Sequence, residues 1–174
     1  MIFTPLELAG AMLVDLERHA DERGFFARTW CQQEFRSAGL SDRLVQASIS
    51  HNRCRGTLRG MHYQEPPHAE EKLVRCTHGA IWDVIIDLRP ASPTYLRHLG
   101  VELCADTGRA LFIPTGFAHG FQTLRDDSQV FYQMSHFYAP AAARGIRWND
   151  PRFGIEWPAT PPLLHPRDGA YPDF

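Results

Sequence analysis

Four stretches of the chain carry residue types able to do chemistry. The first, Gly56-Thr57-Leu58-Arg59-Gly60-Met61-His62-Tyr63-Gln64, sets an arginine and a histidine between glycines in a strand-like run. Glycine lets the backbone approach a ligand closely, and an arginine and a histidine beside a cleft can bind a phosphate and move a proton. The bland alternative is a structural bulge with a satisfied histidine. Strict alternation puts Arg59 and His62 on opposite strand faces, so a bulge or a strand end must intervene if both line one pocket. The second stretch, Gly108 to Phe121, turns through Pro114-Thr115-Gly116 between two apolar segments and offers His119. The third, 129–138, puts Tyr132, His136 and Tyr138 on one face of a strand. Aromatic strand residues usually fill cores, yet a buried tyrosine hydroxyl needs a partner, and one facing His62 is an acid opposite a base. In the fourth, Ile81 to Leu88, Asp83 sits inside an apolar strand and must be paired. Lys72 is its obvious partner, an ordinary structural ion pair being the alternative reading. Of 18 Lys and Arg residues only Lys72 is a lysine, a mild pointer to a need for a compact, deprotonatable ammonium.

The elements that must position these residues read as mostly β. Thirteen Gly and 13 Pro punctuate short segments of period-two apolar pattern. Strands are predicted over 44–52, 72–76, 80–88, 98–104, 109–113, 120–124 and 129–138, a pattern of a sandwich or barrel. One helix is predicted over 30–39, with Gly39 as its stop signal. From Ala159 onward the chain is Pro-rich and is expected to wrap the surface. With 174 residues and 44% hydrophobic side chains a single domain over 1–174 with one core is expected, which excludes disorder and fibrous classes. A formal charge of -2 gives no footprint for nucleic acid or an anionic membrane, so an anionic ligand should be small. No apolar run reaches the ~18 residues of a membrane span and residues 1–22 lack the order of a signal peptide, so a cytoplasmic protein is expected. Cys31, Cys54, Cys76 and Cys104 are scattered without zinc spacing, as expected of reduced, buried thiols.

Two resemblances add to this. Gly108 to His119 matches G-x5-P-x-G-x2-H, the second signature of the cupin superfamily, in which the turn aims the histidine into a small β-barrel. Metal-dependent cupins also carry an H-x-H pair, and here that place holds His62, Tyr63 and Gln64, leaving only His62 and His119 with Glu65 or Glu70 as a conceivable ligand set. More closely, the chain resembles the dTDP-4-dehydrorhamnose 3,5-epimerase family from about Asp21 to Asp168. The motifs are Arg23-Gly24-Phe25-Phe26, Gly56 to Gln64, Lys72-Leu73-Val74-Arg75, Asp83-Val84, Asp87-Leu88-Arg89, Ser92-Pro93-Thr94, Ile113 to Phe121, Tyr132 to Pro140, Gly145 to Pro151 and Ile155 to Pro158.

The resemblance implies a mainly β cupin-type jelly-roll barrel with few short helices. It implies a metal-free, cofactor-free isomerase acting on a nucleotide-linked 4-keto-6-deoxy sugar. His62 would be the base, Asp168 its orienting carboxylate, Lys72 the cation that stabilises the enolate and Tyr132 the acid. Arg23, Gln46, Arg59, Asp83, His119 and Tyr138 would contact phosphates, sugar and nucleoside. A homodimer in which N-terminal strands, from about residues 1–50, cross to the partner is also implied. The family often has Glu, Asn, Lys and Lys where this chain has Arg28, Ser48, Gln133 and Arg167. Those departures leave open the nucleotide and whether C3, C5 or both are inverted. The alternatives to be tested are a metal-dependent cupin enzyme and a non-catalytic sugar-nucleotide binding protein. The proposed chemistry suits the residue types: protons at C3 and C5 flank a C4 ketone, so their removal puts charge on one oxygen beside a fixed cation.

Overall fold

Apolar alternation becomes strand in most of the segments where it was expected. The computed structural model describes residues 1–174. In order, its elements are β1 (Ile2–Pro5), β2 (Met12–Asp15), β3 (Arg18–Asp21), β4 (Gly24–Ala27), α1 (Gln32–Ser37), β5 (Gln46–Asn52), β6 (Thr57–Gln64), β7 (Lys72–His78) and β8 (Ala80–Asp87). They continue with β9 (His98–Cys104), β10 (Ala110–Ile113), β11 (Phe117–Thr123), β12 (Ser128–Met134), β13 (Ala143–Gly145), β14 (Leu163–Leu164) and α2 (Pro166–Gly169).

One sheet runs β1-β2-β10-β7-β12-β5 and the other β13-β6-β11-β8-β9, with β14 added to β6 in parallel. The β3–β4 hairpin pairs only with itself. The inner faces enclose a core that includes Val74, Ile81, Ile85, Leu111 and Val130. The outer face of the second sheet is covered in turn by Ile146, Phe153 and Trp157, packed on Leu58, Met61 and Val84. That double coverage is why β8, apart from Asp83 and Asp87, reads as an apolar run instead of an alternating one. No helix is long and apolar enough to cross a membrane.

Several expectations need correction. The helix is shorter than 30–39. The strand expected to end at residue 138 stops at Met134, so His136 and Tyr138 leave the ladder instead of sharing a face with Tyr132; His136 lies edge-on against His68. Of the four cysteines only Cys76 is buried, and Cys54 is exposed. Burial pushes the Cys76 thiol up to about 11, so it stays protonated at neutral pH. The segment after Ala159 wraps the surface but also contributes β14 and α2, whose first amide is capped by the His165 ring (Arg167 N to Nδ1, 3.1 Å).

Candidate active site

Between the sheets lies a cavity of about 550 Å³. Its two walls follow from the strand registers. In the first sheet Tyr132 stands opposite Ser48, and Met134 stands between Gln46 and Lys72, so β5, β12 and β7 present these side chains to one face. From the other sheet β6 brings Arg59, His62 and Gln64 and β11 brings His119 and Phe121. Tyr138, Arg144, Arg167 and Asp168 complete the rim and floor.

Arg59 and His62 do share the cavity, and a bulge makes this possible. On β6 Arg59 faces Phe121 and His62 faces His119, so Gly60 and Met61 together oppose the single residue Gly120. The slip sends Met61 into the outer core and returns His62 to the inner face. Gly60 is required there: its φ is 138°, and a Cβ would lie 2.5 Å from the Gly120 Cα.

His62 is held by Asp168. The His62 Nε2 lies 2.9 Å from Asp168 Oδ1, while Oδ2 accepts from the Gly60 amide at 3.3 Å. Burial alone would push the Asp168 carboxyl up, but His62, the Gly60 N–H and nearby Arg167 outweigh it and hold the group below the usual carboxylate range. An ionised carboxylate only accepts, so the hydrogen is assigned to Nε2, leaving Nδ1 with its lone pair free.

The expected Lys72–Asp83 pair does not form, because the two residues lie in different sheets. Lys72 Nζ instead pairs with Glu70 Oε1 at 3.1 Å, both side chains nearly buried, and Glu70 Oε2 accepts from Gln64 at 3.0 Å. Asp83 pairs with His119, Oδ1 to Nε2 at 2.7 Å, as diagonal neighbours across β8 and β11, and its Oδ2 is buried without a partner. Asp83 thus supports the His119 ring from behind and does not itself line the cavity.

Of the residues singled out in the sequence, Gln46, Arg59, His62, Lys72, His119, Tyr132, Tyr138 and Asp168 come together. Arg23 does not: it sits on the exposed hairpin and pairs with Asp21. Arg28 is also outside, bonded to Glu34 at 3.0 Å, whereas Ser48 and Arg167 line the cavity. Gln133 follows Tyr132 on β12 and alternation turns it to the other face. The sequence reading missed Glu70 as the partner of Lys72. The spacing of the two, i and i+2 entering a strand, was the available signal. Arg144 and His165 were also missed, having no motif of their own. Nowhere do three His, Cys, Asp or Glu side chains converge as a metal-ligand set.

Comparison with known proteins fits this architecture. The profile of the family described as dTDP-4-dehydrorhamnose 3,5-epimerase matches residues 5–174. The enzyme of that name from Shigella flexneri is 42% identical over 163 residues, covering 93% of this chain and 90% of the relative. The crystal structure of dTDP-4-dehydrorhamnose 3,5-epimerase from Bacillus anthracis, with TDP and pyrophosphate bound, superposes with a TM-score of 0.97 at 36% identity over 99% of both chains. A 3′-monoepimerase from Streptomyces bikiniensis, solved with dTDP-quinovose, has a TM-score of 0.90 at 35% identity, covering 98% of this chain and 86% of that one. Fold and relatives together define an isomerase built on a cupin-type jelly roll. The chain belongs to the dTDP-4-dehydrorhamnose 3,5-epimerase family.

Proposed function

We propose that this protein epimerises C3, C5 or both of a dTDP-linked 4-keto-6-deoxyhexose, with the His62–Asp168 pair as the base. The observation that carries the reading is that this pair faces the one lysine and Tyr132 across a single cavity. The free Nδ1 of His62 takes the proton from the carbon beside the C4 ketone; the pair of the broken C–H bond forms a double bond to C4, and the carbonyl π pair moves onto the C4 oxygen. The Lys72 ammonium stabilises that enolate, as a fixed cation at a developing charge does. Tyr132 then delivers a proton to the same carbon from the other side of the sugar. His62 loses its proton to solvent and Tyr132 regains one, so the cycle balances without a redox step. Arg59, bonded to Asn52 at 2.7 Å, together with Arg144 and Arg167, makes the cavity wall cationic in a chain of net charge -2, which suits a diphosphate.

The hairpin supports a homodimer in solution. Phe25 and Phe26 are 54% and 70% exposed there, and Ile49 on the open edge strand β5 is 61% exposed, an apolar set that a second copy would cover. Arg23 would then serve the partner's site, not its own.

The test is incubation of chelator-treated protein with dTDP-4-keto-6-deoxyglucose in heavy water, following deuterium entry at C3 and C5 by NMR. Exchange at one or both carbons is expected, lost in His62→Ala. Wild-type exchange in that variant would overturn the reading, and binding without exchange would favour a binding protein. A monomer in light scattering would refute the dimer.

A further inference from the structure

The hydrogen bond that His62 donates to Asp168 is a single restraint on the imidazole. Nε2 sits off the Cβ–Cγ axis, so its hydrogen bond opposes large rotations of the ring about that bond, while small rotations only bend it. Nδ1 lies off the axis and sweeps an arc as the ring turns. A second contact would narrow the plane of the imidazole, and with it the direction in which Nδ1 meets a C–H bond.

Tyr171 is placed to do so. Its ring stands edge-to-face against His62, centroids 5.8 Å apart and planes at 74°, a favourable aromatic geometry. The approach depends on Gly145, which faces His62 across the β13–β6 pairing; a Cβ there would come within 2.3 Å of the tyrosine ring. The Tyr171 hydroxyl accepts from Arg167 Nε at 2.8 Å, so the same side chain steadies an arginine of the cavity wall. The tail around it is anchored: the Arg147 amide donates to Pro172 O at 3.1 Å, the Arg147 guanidinium pairs with Asp173 at 2.7 Å, and the Phe174 amide donates to Asp150 Oδ2 at 2.6 Å.

We propose that Tyr171 is a positioning residue for this reaction, its ring fixing the plane of the His62 imidazole and its hydroxyl fixing Arg167. The proposal rests on His62 being the base, and two separate readouts keep the two claims apart. In ligand-free protein labelled with 15N-histidine, Tyr171→Ala should move the His62 ring resonances, and Gly145→Ala, which displaces the ring without removing it, should move them in the same sense. In the epimerisation assay Tyr171→Ala should lower kcat between about tenfold and a hundredfold, the scale of a misplaced catalytic group. Tyr171→Phe should restore most of kcat while raising KM severalfold, because it keeps the ring and frees Arg167. Unmoved His62 resonances in Tyr171→Ala, or a kcat as low in Tyr171→Phe as in Tyr171→Ala, would overturn the proposal. Exchange that survives His62→Ala would instead remove the base assignment, and the spectra would still report whether Tyr171 holds the ring.

Discussion

Asp168→Asn is the change that most directly probes the proposed base. The carboxylate now makes two bonds, Oδ1 to His62 Nε2 at 2.9 Å and Oδ2 to the Gly60 amide at 3.3 Å, and both neighbours donate. An asparagine has one oxygen and one amide group to offer them. Its oxygen can serve Gly60 while its NH2 donates to Nε2, which moves the imidazole hydrogen to Nδ1 and removes the free lone pair. The opposite orientation keeps the tautomer but sets two donors against each other at Gly60, at about 1–3 kcal/mol for an unsatisfied buried donor. Losing the charge-assisted bond to the imidazolium that forms during catalysis adds about 1.5–3 kcal/mol. At about 1.4 kcal/mol per factor of ten, kcat should fall on the order of 10²- to 10⁴-fold. The assay is initial-rate deuterium incorporation at saturating substrate, with thermal unfolding as a folding control. A folded Asn variant that loses less than tenfold would refute the orienting role of Asp168.

Three further outcomes are expected. Tyr132→Phe should still exchange the proton that His62 removes but should form inverted product about 10²- to 10⁴-fold more slowly, read from the same NMR spectra; unchanged product formation would rule out Tyr132 as the acid. Gly60→Ala, with its Cβ 2.5 Å from the Gly120 Cα, should cost about 3 kcal/mol or more in urea unfolding. Asp87 accepts from Arg89 at 2.8 and 2.7 Å and from Thr94 at 2.7 Å; burial pushes its carboxyl up, yet these donors outweigh it and hold it far below its ordinary 3.8. Because the unfolded chain takes up this proton first, the stabilisation is complete above pH ~4 and drains away as pH falls. Asp87→Asn should therefore cost about 3–5 kcal/mol at pH 7 and progressively less near pH 3; an equal cost at both would contradict the linkage.

The sheets were legible where periodicity had room to repeat. β5, β7, β8, β9, β10 and β12 lie within a few residues of the segments read from alternation. β1 to β4 are four residues each and carry no apolar–polar alternation to set them apart from loop composition. At the site, residue types and spacing pointed to His62, His119, Lys72 and Tyr132, and the resemblance added Asp168. Partner choice was harder. Asp83 was correctly read as needing a partner, but its partner follows from which strand lies beside β8, and neighbouring strands are set by topology. Glu70 escaped for the converse reason, since the ion pair it makes with Lys72 is nearly local and carries no motif.

The bulge in β6 separates fold quality from activity. Straightening the strand with every residue kept would let β6 and β11 pair without interruption, a ladder closer to ideal than the present one, and would bring Met61 to the inner face and turn His62 out of the cavity. Selection for a better-paired sheet alone would thus lead away from the enzyme. Libraries screened on this scaffold for heat resistance should keep Gly60 fixed, since the bulge at that residue decides which surface the imidazole belongs to.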